Sequence, residues 1–130
     1  MRLFLVRHAH SAPGDPDELR PLSERGRKEA RALGKRLAPA KPELVLASPL
    51  LRARETAAAV AKAAGAELRV DDRLAPGASA EDVLAAVTGT AATATVVAVG
   101  HQPDCSEIAL ALGAGLRDFA PADAAEIVLP

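Results

Sequence analysis

The stretch that decides the fold is Leu3-Phe4-Leu5-Val6, followed at once by Arg7-His8. Four apolar residues rich in strand formers are too few for a helix, and they predict a strand buried on both faces. The run stops at a permanent cation beside an imidazole. Because residues just past the carboxyl end of a strand line the ligand crevice of an open α/β sheet, we expect Arg7 and His8 to reach a site.

Two further apolar runs end in polar residues in the same way. Leu44–Ala47 precedes Ser48-Pro49, which is typical of an N-cap and a first helical residue, and the helix is predicted to run over 49–64. A β-branched strand over 95–99 ends at Gly100-His101. If these strands are neighbours in the sheet, their polar ends converge on one crevice.

Strands and helices alternate along the rest of the chain. The other predicted elements are a helix over 24–38 capped by Ser23, a strand over 66–70, a helix over 80–88 opened by a Ser79/Asp82 capping box, a helix over 104–113 and a strand over 125–129. This alternation predicts an α/β fold, a three-layer sandwich with a mostly parallel central sheet flanked by helices. We expect a single domain over 1–130.

The composition narrows the classes of function. A net charge of −1 and only two aromatic side chains argue against nucleic acid or an anionic membrane as partner. No apolar run approaches the roughly 20 residues of a membrane span. The single cysteine, Cys105, excludes an internal disulfide and fits a reducing compartment, so we expect a cytoplasmic protein. The sequence does not predict the oligomeric state.

The predicted crevice combines two arginines, Arg7 and Arg52, with two histidines, His8 and His101. Planar guanidinium groups and a helix N-terminus suit a tetrahedral oxyanion, which favours phosphate as ligand. A histidine inside such a clamp can attack phosphorus and become phosphohistidine. A second, protonated histidine could stabilise charge on the transferring group.

Four motifs carry a family resemblance. The family is the histidine phosphatase, or phosphoglycerate mutase-like, superfamily. Arg7-His8-Ala9 resembles its R-H-G motif, and Arg20–Gly26 resembles its P-L-T-x-x-G motif. Ser48–Ala57 resembles its S-P-x-x-R-A-x-x-T-A motif, and Val99-Gly100-His101 resembles its second-histidine motif. The motifs occur in the order of the family, and the resemblance covers about residues 3–105, most of the chain. The resemblance implies that His8 accepts the phosphoryl group, that Arg7, Arg52 and His101 complete the phosphate pocket, and that no metal or cofactor is used.

Two departures from the family pattern matter. Ala9 replaces a glycine, which would cost roughly 1 kcal/mol of strain if the position needs a positive φ. Many family members carry a glutamate after the third strand that protonates the leaving group, whereas residues 73–77 here contain no carboxylate. The candidate acids flank this segment: Asp71, Asp72, Glu81 and Asp82.

The missing acid bears on the substrate. An alkoxide leaving group gains about 10²–10⁴ in rate from a general acid. The conjugate acid of imidazole has a pKa of about 6.5, so imidazole can leave with little dedicated help. The short chain also offers no insertion to enclose a small substrate. The sequence therefore resembles the short SixA-type phosphohistidine phosphatases, and we expect a phosphohistidine-carrying protein as substrate.

Alternative functions remain open at this point. One is a small-molecule phosphatase for sugar phosphates or nucleotides, with Asp72, Glu81 or Asp82 as acid. A second is a phosphate-binding module without turnover. A third is a metal hydrolase, for which the possible ligands are His8, His10, His101 and Asp104. We expect His10 at the rim of the site, Cys105 packed in the core, and Arg54 and Glu55 on an exposed helix face.

Overall fold

Five strands form one sheet in the computed structural model, which describes residues 1–130. The strands are β1 (Arg2–Arg7), β2 (Leu44–Ala47), β3 (Glu67–Val70), β4 (Thr95–Gly100) and β5 (Ala124–Val128). Their spatial order is β3-β2-β4-β1-β5. The first four strands run parallel, and β5, an outermost strand, pairs antiparallel with β1. The carboxyl ends of β1, β2 and β4 therefore lie side by side at one edge of the sheet.

Four helices connect the strands. They are α1 (Glu24–Leu37), α2 (Leu51–Ala64), α3 (Ala80–Val87) and α4 (Asp104–Ala111). Single 3₁₀ turns occur at Asp17–Leu19, Ala38–Ala40 and Asp72–Leu74. None of the helices combines the length and the apolar character needed to cross a membrane.

Alternating side chains of the central strands build two cores, one on each face of the sheet. Leu3 and Leu5 of β1 pack in the cluster that includes Val83 of α3 and Ile108 of α4. Phe4 and Val6 point to the opposite face, where α1 and α2 supply their apolar sides, including Leu33 and Val60. The central strands are buried on both faces because helices cover both, as in parallel sheets generally. The predicted three-layer sandwich is confirmed.

The helix starts agree with the local sequence signals at two places and differ at a third. Ser23 accepts a hydrogen bond from the Gly26 amide at 3.0 Å, and Ser79 with Asp82 forms a capping box. Ser48, however, does not cap α2, which begins at Leu51. The Ser48 hydroxyl is fully buried and bonded to His101, so it lies at the site rather than at a helix terminus.

The outward face of α2 also differs from expectation. Arg54 and Glu55 are half-buried rather than exposed. Glu55 Oε1 accepts a hydrogen bond from the Leu22 amide at 2.8 Å, and Arg54 Nε donates to the Pro49 carbonyl at 2.9 Å. Both side chains tie α2 to neighbouring loops, an arrangement that a helical-wheel argument does not consider.

Candidate active site

Strand register brings the predicted site residues together. Arg7 pairs with Gly100 across β1 and β4, and Ala47 pairs with Val99 across β2 and β4. Just beyond these pairs, the His8 amide donates to the Gly100 carbonyl at 3.0 Å. The residues that follow the three strands therefore share one edge, as the sequence predicts for neighbouring parallel strands.

The two imidazoles face each other across this edge. The ring centroids of His8 and His101 lie 5.2 Å apart with an interplanar angle of 60°. His8 Nδ1 lies 2.7 Å from the Ala9 carbonyl oxygen. Because a carbonyl can only accept, Nδ1 carries the hydrogen, and the lone pair of the neutral ring is on Nε2.

The electrostatic environment keeps His8 neutral. Burial lowers the pKa of His8, and the cations of Arg52, Arg7 and Arg20 lower it further, against the opposing effect of the hydrogen bond to Ala9. The pKa therefore lies below the ordinary value of 6.5. At pH 7 the ring presents an unprotonated Nε2, the form that a nucleophile requires.

His101 is buried more deeply and is held by Ser48. Its Nε2 lies 2.7 Å from the Ser48 hydroxyl, whereas its Nδ1 makes no hydrogen bond within the chain. Burial, followed by the charges of His8 and Arg52, lowers the pKa of His101 to about 4. Without a bound phosphoryl group, His101 is thus neutral at pH 7. Burial beside other cationic groups is the physical reason.

Arg7 offers an unused donor. Its Nη1 donates to the Phe119 carbonyl at 2.8 Å, which fixes the guanidinium. Its Nε is the one buried side-chain nitrogen or oxygen of the chain without a hydrogen-bond partner. Buried donors are almost always paired, so an unpaired one at a predicted phosphate site indicates where an anion oxygen could bind.

Arg52 lies in the first turn of α2 and is 8% exposed. Its Nη1 donates to the main-chain oxygen of Asp17 at 2.9 Å, and its Nη2 donates to Asp17 Oδ2 at 3.2 Å. A guanidinium has five N–H groups, so three remain for other acceptors. The 3₁₀ turn that contains Asp17 is thereby held against the site.

Asp17 and Arg20 were missed as site residues by the sequence reasoning. Asp17 Oδ1 accepts from Arg20 Nη1 at 3.2 Å, so one carboxylate bridges Arg20 and Arg52. Hydrogen bonds from both arginines lower the pKa of Asp17. Arg20 also donates to the Ser11 hydroxyl at 2.9 Å. Arg20 could have been assigned to the site from the sequence, because it begins the family motif Arg20–Gly26. No local feature distinguishes Asp17 from the other acidic residues of the loop.

Ala9 fits its position without strain. Its φ is not positive, so the strain considered for the absent glycine does not arise. The side chain is fully buried, and the amide donates to Thr56 Oγ1 at 3.0 Å. The Thr56 hydroxyl in turn donates to the Arg52 carbonyl at 2.8 Å. Thr56 therefore couples the loop after β1 to the helix that carries Arg52.

No hydrogen bond or ion pair joins the four candidate acids to the histidines. Asp71 is paired with Arg73 at 2.7 Å, which lowers its pKa, and Asp82 belongs to the capping box of α3, which also lowers its pKa. Asp72 and Glu81 are exposed. None of the four is therefore held by a hydrogen bond to His8 or His101.

His10 and Asp104 have structural partners. His10 is half-buried, and its Nδ1 lies 2.6 Å from the hydroxyl of Ser23, the N-cap of α1. Asp104 Oδ2 accepts from the Gly77 amide at 2.7 Å. No three His, Cys, Asp or Glu side chains are grouped to hold a metal ion. Cys105 is buried as expected, and burial raises its pKa to about 12.

His8 is half-buried and His101 is 5% exposed. The cavity of about 10 Å³ that His101 lines is a void in the apolar core, among Leu5, Val83 and Ile108. Two cavities of about 650 and 490 Å³ lie at the other end of the sheet, near Met1 and near Glu43.

Comparison with known proteins agrees with this geometry. A family model described as the histidine phosphatase superfamily (branch 1) matches residues 3–76, more than half of the chain. The chain belongs to this superfamily, whose members are phosphatases. A relative from Picosynechococcus sp. (strain PCC 7002), an uncharacterized protein, is 38% identical over 123 residues, which cover 88% of this chain and 74% of that protein.

Solved structures narrow the resemblance to one type within the superfamily. The protein histidine phosphatase SixA complexed with tungstate is 29% identical, with a TM-score of 0.84 over 97% of this chain and 86% of that chain. SixA from Nakamurella is 33% identical, with a TM-score of 0.76 over 85% of this chain. The match covers 64% of the Nakamurella chain, less than two thirds of its length. The predicted SixA-type resemblance and phosphoglycerate mutase-like fold are confirmed.

A third solved structure shares the fold at lower identity. It is a mycobacterial glucosyl-3-phosphoglycerate phosphatase, 22% identical, with a TM-score of 0.78 over 96% of this chain and 90% of that chain. The same fold thus occurs in proteins named for a protein substrate and for a small-molecule substrate.

Proposed function

We propose that residues 1–130 act as one catalytic domain that removes the phosphoryl group from a phosphohistidine on another protein. The reaction passes through a covalent phosphohistidine on His8. Arg7, Arg52 and His101 bind the transferring phosphoryl group together with His8. The observation that carries this proposal is the hydrogen bond from His8 Nδ1 to the Ala9 carbonyl, because it leaves the Nε2 lone pair free.

In the first step, His8 Nε2 attacks phosphorus and a new N–P bond forms. The P–N bond of the substrate breaks, and its electron pair goes to the substrate nitrogen. If the distal nitrogen of the substrate ring carries a proton, the ring leaves as neutral imidazole. Near neutral pH solvent supplies this proton, because imidazole protonates with a pKa of about 6.5. The step therefore needs no carboxylic acid beside the leaving group.

In the second step, water attacks the phosphoryl group on His8. The N–P bond breaks, its electron pair returns to Nε2, and the proton of water passes to phosphate or solvent. The Nδ1–H bond to the Ala9 carbonyl holds a proton on the phosphorylated ring, which keeps His8 a neutral leaving group. This one hydrogen bond therefore favours both the attack of His8 on phosphorus and the later release of His8 from the phosphoryl group.

The arginines would stabilise charge on the phosphoryl oxygens. The unpartnered Nε of Arg7 supplies one donor, and the free N–H groups of Arg52 supply others. The arriving dianion would also raise the proton affinity of His101, so that this ring could donate Nδ1–H to a phosphoryl oxygen.

The small-molecule alternative requires an acid that the site does not supply. Asp71 and Asp82 are engaged elsewhere, and Asp72 and Glu81 are exposed and make no hydrogen bond to either histidine. The likeness to glucosyl-3-phosphoglycerate phosphatase concerns the fold and supports this alternative no further. A cytoplasmic location and independence of metal ions are part of our proposal; the former rests on the single free cysteine.

The experiment compares phosphate release from a histidine-phosphorylated carrier protein and from para-nitrophenyl phosphate. We expect rapid release from the carrier, slow release from the ester, and loss of both in His8→Ala. Quenching in alkali should trap a labelled phosphohistidine in the wild type that is missing in the variant. Incubation with a chelator should leave the rates unchanged.

The other outcomes identify the alternatives. Fast ester hydrolysis with an inert carrier would establish a small-molecule phosphatase, and each candidate carboxylate would then be replaced in turn. Binding of the phosphorylated carrier without any release, by a folded protein, would indicate a phosphate-binding module.

A further inference from the structure

The net charge of −1 conceals a strong separation of charge between the two faces of the molecule. Helices α1 and α2, which cover one face of the sheet, contain nine Lys or Arg and three Glu. Helices α3 and α4, on the other face, contain four Asp or Glu and no Lys or Arg. The chain therefore has a basic face and an acidic face, with the histidine pair at the edge between them.

Three cations of α1 form an exposed stripe. Lys28, Arg31 and Lys35 are spaced three and four residues apart, so they lie on one side of the helix. Arg31 and Lys35 make no ion pair, and Lys28 has only a 4.0 Å contact to Glu24. Their charges are not needed to hold the fold together. We call Lys28, Arg31 and Lys35 the basic stripe.

The stripe begins close to the site. Ser23, the N-cap of α1, is bonded to His10, two residues after His8. At 1.5 Å per residue, Lys28 and Arg31 lie roughly 8 and 12 Å along the helix from Ser23. A shallow groove of about 240 Å³ between α1 and α2, lined by Arg27, Arg31 and Leu22, adjoins the same loop. A protein seated over His8 would therefore lie within reach of the stripe.

We propose that the basic stripe docks the acidic surface of the protein that carries the phosphohistidine. This inference rests on the proposed function and names the chemistry of its partner. Complementary charge steers encounter and raises association rates by about 10–10³. The acidic residues of α3 and α4 repel the same partner from the opposite face, so the charge separation also orients it.

The test uses an acidic histidine-phosphorylated carrier and the small substrate phosphoimidazole. In Lys28→Glu/Arg31→Glu we expect kcat/KM for the carrier to fall roughly tenfold at low salt. The difference from wild type should shrink in 0.5 M salt, because exposed charges are screened. The rate with phosphoimidazole should stay within about twofold, because the double variant leaves the phosphate pocket intact.

Two controls make the result specific. Glu81→Lys/Glu107→Lys reverses two charges in the first turns of α3 and α4, and it should not lower the rate with the acidic carrier. Arg31→Lys keeps the charge and should behave as wild type. The third comparison uses a carrier whose surface carboxylates around the phosphohistidine are replaced by amides. With this carrier, wild type and the double variant should have equal kcat/KM.

Docking and catalysis can fail separately. If the wild type releases phosphate from neither substrate, the proposed function fails, and binding of the unphosphorylated carrier still tests the stripe. Equal carrier binding and equal carrier rates in wild type and Lys28→Glu/Arg31→Glu would overturn the docking proposal. The docking proposal would also be overturned if the double variant lost only its binding to anionic lipid vesicles, measured by sedimentation, because the stripe would then bind a membrane surface.

Discussion

Asp17 accepts two hydrogen bonds from Arg52, one at its main-chain oxygen and one at its carboxylate, at 2.9 and 3.2 Å. The carboxylate also accepts a hydrogen bond from Arg20. A carboxylate of the chain itself is therefore hydrogen-bonded to two arginines of the site. A loop with no regular periodicity thus partly neutralises the cations that we expect to bind phosphate.

We therefore predict that Asp17→Asn binds inorganic phosphate roughly two- to fivefold more tightly than the wild type, the range typical of an exposed charge pair. The amide oxygen can still accept from Arg52, while the competing negative charge is gone. Product inhibition by phosphate is the measurement. Glu18→Gln is the matched control, because Glu18 is an adjacent exposed carboxylate that makes no hydrogen bond. Unchanged or weaker inhibition in Asp17→Asn would contradict this view of Asp17.

Ser48→Ala should reduce kcat by about tenfold and lower the free energy of unfolding by about 1–3 kcal/mol. The hydroxyl is fully buried, contacts His101 Nε2 at 2.7 Å and accepts from the Leu50 amide at 3.3 Å, so its removal frees the ring and leaves buried groups unpaired. Steady-state kinetics and urea unfolding test both effects. Ser106→Ala, which alters a half-buried hydroxyl bonded to Gln102, should leave kcat unchanged. Normal kcat in Ser48→Ala would show that Ser48 does not position His101.

Acid should destabilise the folded protein through His101. The unfolded chain protonates this histidine near pH 6.5, whereas the folded chain keeps it neutral until about pH 4. The unfolded state binds more protons in this window, so the free energy of unfolding is greatest above pH 6.5 and falls as the pH decreases. Between pH 7 and pH 5 the loss should be about 2 kcal/mol. Urea unfolding at both pH values should show a smaller decrease in His101→Gln; an equal decrease would rule out His101 as the source.

Ala9→Gly should destabilise the protein by about 1–2 kcal/mol, even though it restores the residue usual in the superfamily. The Ala9 methyl group is fully buried and φ is not positive, so glycine would remove packing and add chain entropy without relieving strain. Thermal or urea unfolding measures the change. A more stable Ala9→Gly variant would mean that the backbone at this position is strained after all.

The sequence predicted the strands and helices closely where the signal was local. Leu44–Ala47 is the strand expected, and the Ser23 and Ser79 caps open the helices expected. Apolar runs, cap residues and terminating glycines act through neighbours a few positions away, so they can be read directly from the chain. The convergence of Arg7, His8 and His101 followed from the same reasoning, because parallel strands place their carboxyl ends together.

What the sequence by itself determined is the layered α/β fold and the edge at which the histidines meet. Only the tertiary structure decided the use of Ser48, which bonds His101 across 53 positions, and of Asp17, which bonds Arg52 across 35 positions. It also decided that the basic and acidic helices lie on opposite faces. The physical reason is that hydrogen bonds and charge separation depend on which segments pack together, and polar side chains in loops carry no periodic signal of their distant partners.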